Sequence, residues 1–389
     1  MLPLHYFARL RQRNIEAWLV VHSRTRGELE ALFPEDTKRI HYINDTWLHR
    51  FLFRLSGYLP RRIGEMTVGL FSQLITQREQ RRIVRQLVSS EAIDIVHQPI
   101  PVSPRFPSMM AKMGAPVVIG PMNGGMEYPA AFRGAESVVS RSVISAGRAL
   151  SGFVHSILSG KKYASVLLVA NERTRLALPS CAQGKVIEIP ENGVDLSTWS
   201  NAKVSVTPSS KRFLFIGRLI DWKGVDMVIE ALTQVPEAQL EIIGDGGMRA
   251  AWQQLAESLG VGERVFFSGF LPQSECAPRL QSAVALLLPS IYECGGAVVL
   301  EAMATGTPVI ATKWGGPADY LDESCGILVE PSSRTAIVNG FAGGMKELMA
   351  SPELRHRLGV SGRQRVQQYF DWEKKVDRIL EIYGAATQK

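Results

Sequence analysis

Two glutamates eight positions apart, Glu293 and Glu301, bracket a pair of glycines, Gly295 and Gly296. The stretch from Pro289 to Gly306 reads P-S-I-Y-E-C-G-G-A-V-V-L-E-A-M-A-T-G. The glycines allow a tight, bare backbone turn. Unpaired N–H groups at the head of a helix, backed by the positive end of its dipole, bind anions and phosphate above all. A phosphate site has no need of carboxylates. A ligand with hydroxyls beside its phosphates does, because a carboxylate accepts paired hydrogen bonds from a vicinal diol. Together these groups describe a site for a sugar nucleotide: a sugar at one end, a ribose at the other, a diphosphate between.

The neighbouring residues supply the elements that hold this chemistry. Ala283 to Leu288 is a short apolar run that predicts a buried strand, ended by Pro289 and Ser290. Ala297 to Ala304 has the composition of a buried helix, stopped by Thr305-Gly306-Thr307-Pro308. Gly295 and Gly296 thus fall where a strand feeds a helix, and both glutamates are expected at the ligand end of a sheet.

The Glu–seven residues–Glu spacing, followed by A-M-A-T-G-T-P-V-I-A-T, resembles the retaining glycosyltransferases of the GT-B fold, glycosyltransferase family 4 (group 1). The resemblance implies that Glu293 binds the transferred sugar and Glu301 the ribose hydroxyls. Cys294-Gly295-Gly296 stands where the family has Gly-aromatic-Gly, so the Cys294 side chain is expected to narrow the donor pocket beside Ala297. Further motifs match in order. Phe213 to Ile216 predicts a strand ending in Gly217-Arg218-Leu219, followed by Asp221-Trp222-Lys223-Gly224. The family's Arg and Lys at these places bind the donor diphosphate, implying that role for Arg218 and Lys223. Fixed cations there stabilise the charge that a leaving diphosphate develops. Gly244 and Gly246, after the strand Gln239 to Ile243, are implied at the nucleotide edge, and Phe270-Leu271 where the family packs the base. The turn Pro190-Glu191-Asn192-Gly193-Val194-Asp195 matches the family's signature at the end of its first domain.

The first half is matched more loosely. Leu4 to Asn14 predicts an amphipathic helix, Ala17 to His22 a strand, and Thr25 to Phe33 another helix. The family has a strand and a glycine-rich loop ahead of that first helix, so the N-terminal sheet is expected to lack its first strand. Ile93 to His97 predicts a buried strand. His97 then stands where the family places a polar residue facing the transferred sugar; a satisfied structural histidine is the alternative. Pro116 to Gly120 predicts the next strand, opening onto P-M-N-G-G-M-E-Y-P over residues 121–129. The family lines its cleft with a similar loop. Asn123, Gly124, Gly125 and Glu127 are its acceptor-side candidates, and an ordinary strand-to-helix loop is the alternative. Val138 to Lys162 predicts a long helical stretch.

Length allows two domains. Their expected bounds are residues 1–198 for an acceptor-binding Rossmann-like domain and 212–369 for a donor-binding one. Residues 199–211 would link them, and a helix over 370–389 would cross back to the first. Apolar content of 46% and charged content of 21% are those of a globular protein. The four scattered cysteines suggest neither a disulfide framework nor a zinc site and fit a reducing cytoplasm. No signal peptide or membrane-spanning run is evident.

Charge is unevenly placed. Residues 1–200 carry 25 Lys and Arg against 16 Asp and Glu, and residues 201–389 carry 19 against 21. No nucleic-acid motif accompanies the basic half. The Arg- and apolar-rich stretch Trp47 to Leu87 is either a membrane-surface patch or two helices packing one apolar face and solvating the other. The expected activity is transfer of a hexosyl group from a nucleoside-diphosphate sugar to a saccharide or lipid-linked acceptor hydroxyl, with retention. No cofactor or metal is expected, and the expected location is the cytoplasm, with peripheral contact at an anionic membrane face. A GT-B epimerase and a non-catalytic sugar-nucleotide-binding subunit are the alternatives.

Overall fold

The computed structural model describes residues 2–57, 68–135, 154–155, 157–199 and 211–388. It resolves into two compact units, each discontinuous in the chain. Residues 1–125, 136–191 and 376–389 make the first, and residues 126–135 and 192–375 the second. Ten residues of the 121–135 segment therefore group with the second unit, and the end of the helix Trp372–Thr387 with the first.

Among the described residues, the first unit holds six short strands. β1 (Leu19–His22) pairs in parallel with β2 (Ile40–Ile43). β3 (Val96–Gln98), β4 (Val117–Met122), β5 (Val166–Val169) and β6 (Lys185–Glu188) form a four-stranded parallel sheet in chain order. Among the described residues, β1 and β3 each have a ladder partner on one side only. A cavity of about 230 Å³ touches both, lined by Leu19, Val20, Val96 and His97 and by Tyr6 and Leu10 of the helix Leu2–Gln12. β3 begins three residues later than its apolar run, because a ladder needs a partner: Val96 pairs with Val117, whereas Ile93 pairs with nothing in the sheet. Most of the helical stretch expected over Val138 to Lys162 lies outside the described residues, as does 200–210 of the expected linker. Trp199, at that linker's start, is 3% exposed in the second unit's core. Polar neighbours conceal its burial in the sequence.

The second unit carries one sheet of six parallel strands. β7 (Arg212–Ile216), β8 (Gln239–Ile243), β9 (Val265–Gly269), β10 (Ala285–Leu288), β11 (Val309–Thr312) and β12 (Ile327–Val329) run in the order β12-β11-β10-β7-β8-β9. Helices cover both faces, so the central strands read as unbroken apolar runs: Phe213, Leu214, Leu286 and Leu287 are fully buried. The order reverses between β7 and β10, which are neighbours through Ala285–Phe213 and Leu286–Leu214. Loops leaving two such strands diverge to opposite faces, and the crevice they open beyond the strand ends is where doubly wound sheets bind ligands. No described helix is long and apolar enough to cross a membrane.

Candidate functional site

The crevice at the β7–β10 switch collects the residues singled out in the sequence. Gly217 and Arg218 follow β7 directly. The Gly217 N–H donates to Ile243 O at 3.0 Å and the Leu219 N–H to Asp245 O at 2.9 Å. The loop after β7 therefore lies along Gly244-Asp245-Gly246 after β8. Gly244 N–H donates in turn to Gly269 O at 2.7 Å, placing the end of β9 next in line. Phe270, just beyond, is 83% exposed, a bare ring at the outer end of this row, with Leu271 half-buried behind it.

Lys223 ends a short helical turn, Asp221–Lys223. Gly224 then takes φ +65°, and a Cβ there would stand 2.5 Å from Pro289 O. Only glycine lets the two loops approach so closely. Ile291 N–H donates to Trp222 O at 3.0 Å across the same contact. Lys223 Nζ is consequently hydrogen-bonded to Glu293 Oε2, both side chains being mostly buried. Ser290 Oγ, fully buried, is 3.5 Å from that carboxylate. Arg218 is exposed and makes no ion pair among the described residues.

On the other side of the switch, Gly296 caps the helix Ala297–Thr305 with φ +80° and no side-chain partner for the first N–H groups. The carbonyl of Glu293 accepts from Gly316 N–H at 2.7 Å. A Cβ on Gly316 would stand 1.9 Å from Gly295 O. The Gly315-Gly316 backbone thus holds the Glu293–Gly296 turn. The paired glycines are the sequence signal for this role. Cys294 is half-buried and in no disulfide.

Glu301 differs from Glu293. It is largely buried, with no hydrogen bond or ion pair among the described residues. Burial pushes its carboxyl up to about 7. Cys276 is raised too, to about 11, by burial first and by Glu301 next. A carboxyl partly shielded from water and without a partner carries a solvation cost that a hydroxyl-bearing ligand lowers.

The acceptor-side candidates divide between the units. In the first, Asn123 N–H donates to Val102 O at 2.7 Å and Gly124 N–H to Thr174 Oγ1 at 3.1 Å, fixing the loop to the helix Glu172–Leu176 beside Gly125. In the second, Glu127 O accepts from Trp314 Nε1 at 2.8 Å, and its carboxylate stands 3.4 Å from Arg133. Next to it, Tyr128 and Tyr292 pack with ring centroids 4.8 Å apart, a pairing the sequence did not reveal. His97 lies in the first unit. Its Nδ1 is 2.6 Å from Tyr383 Oη and its Nε2 2.6 Å from Gly120 O. Tyr383 donates and Gly120 accepts if the imidazole is the neutral Nε2–H tautomer. Both ring nitrogens are then held within the unit.

Comparison with known proteins adds the following. Residues 199–365 match the family Glycosyl transferases group 1. An uncharacterized glycosyltransferase of Methanocaldococcus jannaschii is 31% identical over 48% of this chain and 47% of its own length. The lipopolysaccharide core biosynthesis glycosyltransferase LpsE of Rhizobium meliloti is 31% identical over 47% of this chain and 53% of its own. The chain thus spans about half the length of these curated relatives. Anabaena HepE, solved with UDP, superimposes with a TM-score of 0.56 at 15% identity, over 92% of this chain and 89% of that one. The fold is GT-B, and residues 199–365 are a glycosyl transferases group 1 domain.

Proposed function

We propose that the protein is a retaining glycosyltransferase that moves a hexosyl group from a nucleoside-diphosphate sugar to a hydroxyl of a saccharide or lipid-linked acceptor. The observation that carries this reading is Glu301: a carboxyl with no hydrogen bond or ion pair among the described residues, about one turn along the helix that a bare glycine turn opens, in the unit that also holds Lys223 and Arg218. Its neighbourhood suits a ribose diol beside a diphosphate.

In this reading the diphosphate lies against the N–H groups of Gly295, Gly296 and Ala297 and draws Lys223 and Arg218. Lys223 leaves Glu293 to reach it. Glu293, freed from that pair, takes hydroxyls of the transferred sugar. Each partner thereby keeps the other's charge satisfied until the donor arrives. As the glycosidic bond breaks, charge grows on the diphosphate, and preset cations and N–H groups stabilise it more than the ground state. This arrangement calls for no metal ion. The leaving phosphate takes the acceptor proton on the same face. Phe270, exposed at the end of the row, is available to cover the base. The binding of UDP by Anabaena HepE, and the LPS-core role that the name of LpsE states, support a nucleotide donor and a saccharide acceptor.

A thermal-shift panel of UDP, GDP, ADP and their sugar conjugates tests the donor side, since a ligand that binds only the folded state raises Tm. One base series should shift Tm in the intact protein and not in Glu301→Gln. Equal shifts in both would overturn the ribose assignment. Anomeric configuration of the product, read by NMR, tests retention.

A further inference from the structure

The helix Trp47–Ser56 is built inside out. Thr46 caps it, with His49 completing the capping box. His49, 3% exposed, faces inward, its Nε2 lying 3.1 Å from Thr76 Oγ1 of the helix Val68–Ser90. Leu52 and Leu48, both half-buried, follow on one side of it. At 100° per residue, Arg50, Phe51, Arg54 and Trp47 then share the outward arc. A soluble helix places polar groups there. Here Trp47 is 71% exposed, Phe51 54% and Leu55 40%, one stripe at four-residue spacing. Arg50 and Arg54 are also exposed, and the helix contains no acidic residue.

We propose that this face docks on an anionic lipid bilayer. Aromatic rings interleaved with arginines, without a negative charge, match the boundary between lipid headgroups and acyl chains. The rings enter the apolar layer while the guanidinium groups stay at the phosphates. Charge complementarity selects the partner, because two arginines beside the rings favour an anionic surface and oppose a basic one. The helix is held from its inner side by the His49–Thr76 contact, so the outer face is presented without unfolding anything. A lipid-linked acceptor would then be met at the surface where it resides. Docking itself is separate from the transfer chemistry and is read without donor or turnover.

The test uses the 389-residue protein with vesicles of phosphatidylcholine, with and without phosphatidylglycerol. Co-sedimentation is expected with the anionic vesicles and should fall as salt rises. Arg50→Gln and Arg54→Gln should each weaken it about fivefold, from loss of one surface charge contact. Phe51→Ser with Leu55→Ser should abolish it while leaving Tm and nucleotide-induced shifts unchanged, since both side chains are exposed. Brominated lipid should quench a fluorescence component that Trp47→Phe removes. Equal vesicle binding by wild type and the Phe51/Leu55 variant, or none by wild type, would overturn the proposal. A dimer in gel filtration that dissociates in this variant would overturn it as well, by assigning the face to a second copy of the chain.

Discussion

Replacing Glu301 by glutamine should stabilise the protein and disable its donor site. The carboxyl's pKa rises from 4.5 to about 7 on folding, because burial disfavours the charged form. Between those values the folded state holds a proton that the unfolded chain has released. Stability therefore falls as pH rises from about 4.5 to 7 and is level above. Two and a half pH units correspond to at most about 3 kcal/mol at 25 °C. Glutamine, of the same shape and never charged, removes this loss. Denaturant unfolding at about pH 8 should show Glu301→Gln more stable by up to about 3 kcal/mol, with the gap closing toward about pH 4.5. Donor binding should move oppositely. A diol needs the ionised carboxylate, and at about pH 6 only about a tenth of Glu301 is ionised. Affinity for a nucleotide sugar, whose diphosphate does not titrate in this range, should thus be about tenfold weaker at about pH 6 than at about pH 8. Glu301→Gln should bind weakly with no such slope, the lost hydrogen bonds to a charged group being worth about 1.5–3 kcal/mol. Calorimetric titration of both proteins across this range reads both effects. A variant with wild-type affinity, or one destabilised equally at every pH, would refute the reasoning.

Three further predictions concern other residues. Lys223→Ala leaves Glu293 mostly buried without its cation, and should lower kcat by about 10²–10³-fold through loss of charge stabilisation, as steady-state kinetics on a donor identified by the thermal-shift panel would show. Gly316→Ala forces a Cβ to 1.9 Å from Gly295 O. It should displace the glycine turn and weaken nucleotide binding at least tenfold, an effect of about 1.4 kcal/mol or more measurable by calorimetry. Tyr383→Phe removes the donor to His97 Nδ1 and should cost about 1–3 kcal/mol in urea unfolding, with donor affinity unchanged. If instead it abolishes donor affinity at unchanged stability, His97 belongs to the reaction rather than to the scaffold.

The backbone requirements of the second unit were legible because they are local. Glycines at strand ends, a Glu pair across a strand–turn–helix step, and Gly-Arg-Leu followed by Lys-Gly each state their structural requirement within a few residues. Unbroken apolar runs marked β7 and β10 as buried strands, since covered parallel strands need apolar side chains on both faces; β8 breaks its run with Glu241, buried and paired with Arg279. Sequence alone did not bring these pieces to one place. The strand order did, by setting β7 beside β10, more than seventy residues apart in the chain, and so laying Lys223 on Glu293. Burial too was a tertiary outcome. The stretch A-V-V-L-E-A-M-A marked a buried helix but not how far Glu301 itself would be covered; the packing of the helix decided that. The same applied to Trp199, whose polar neighbours gave no sign of its burial, and to the helix Trp47–Ser56. Its composition permitted an apolar face turned inward or outward, and the inward turn of His49 put the aromatic rings outside. Short-range requirements of backbone and side chain are written in the sequence. Which distant groups share a site, and which of them lose their water, depends on contacts that exist only once the chain has folded.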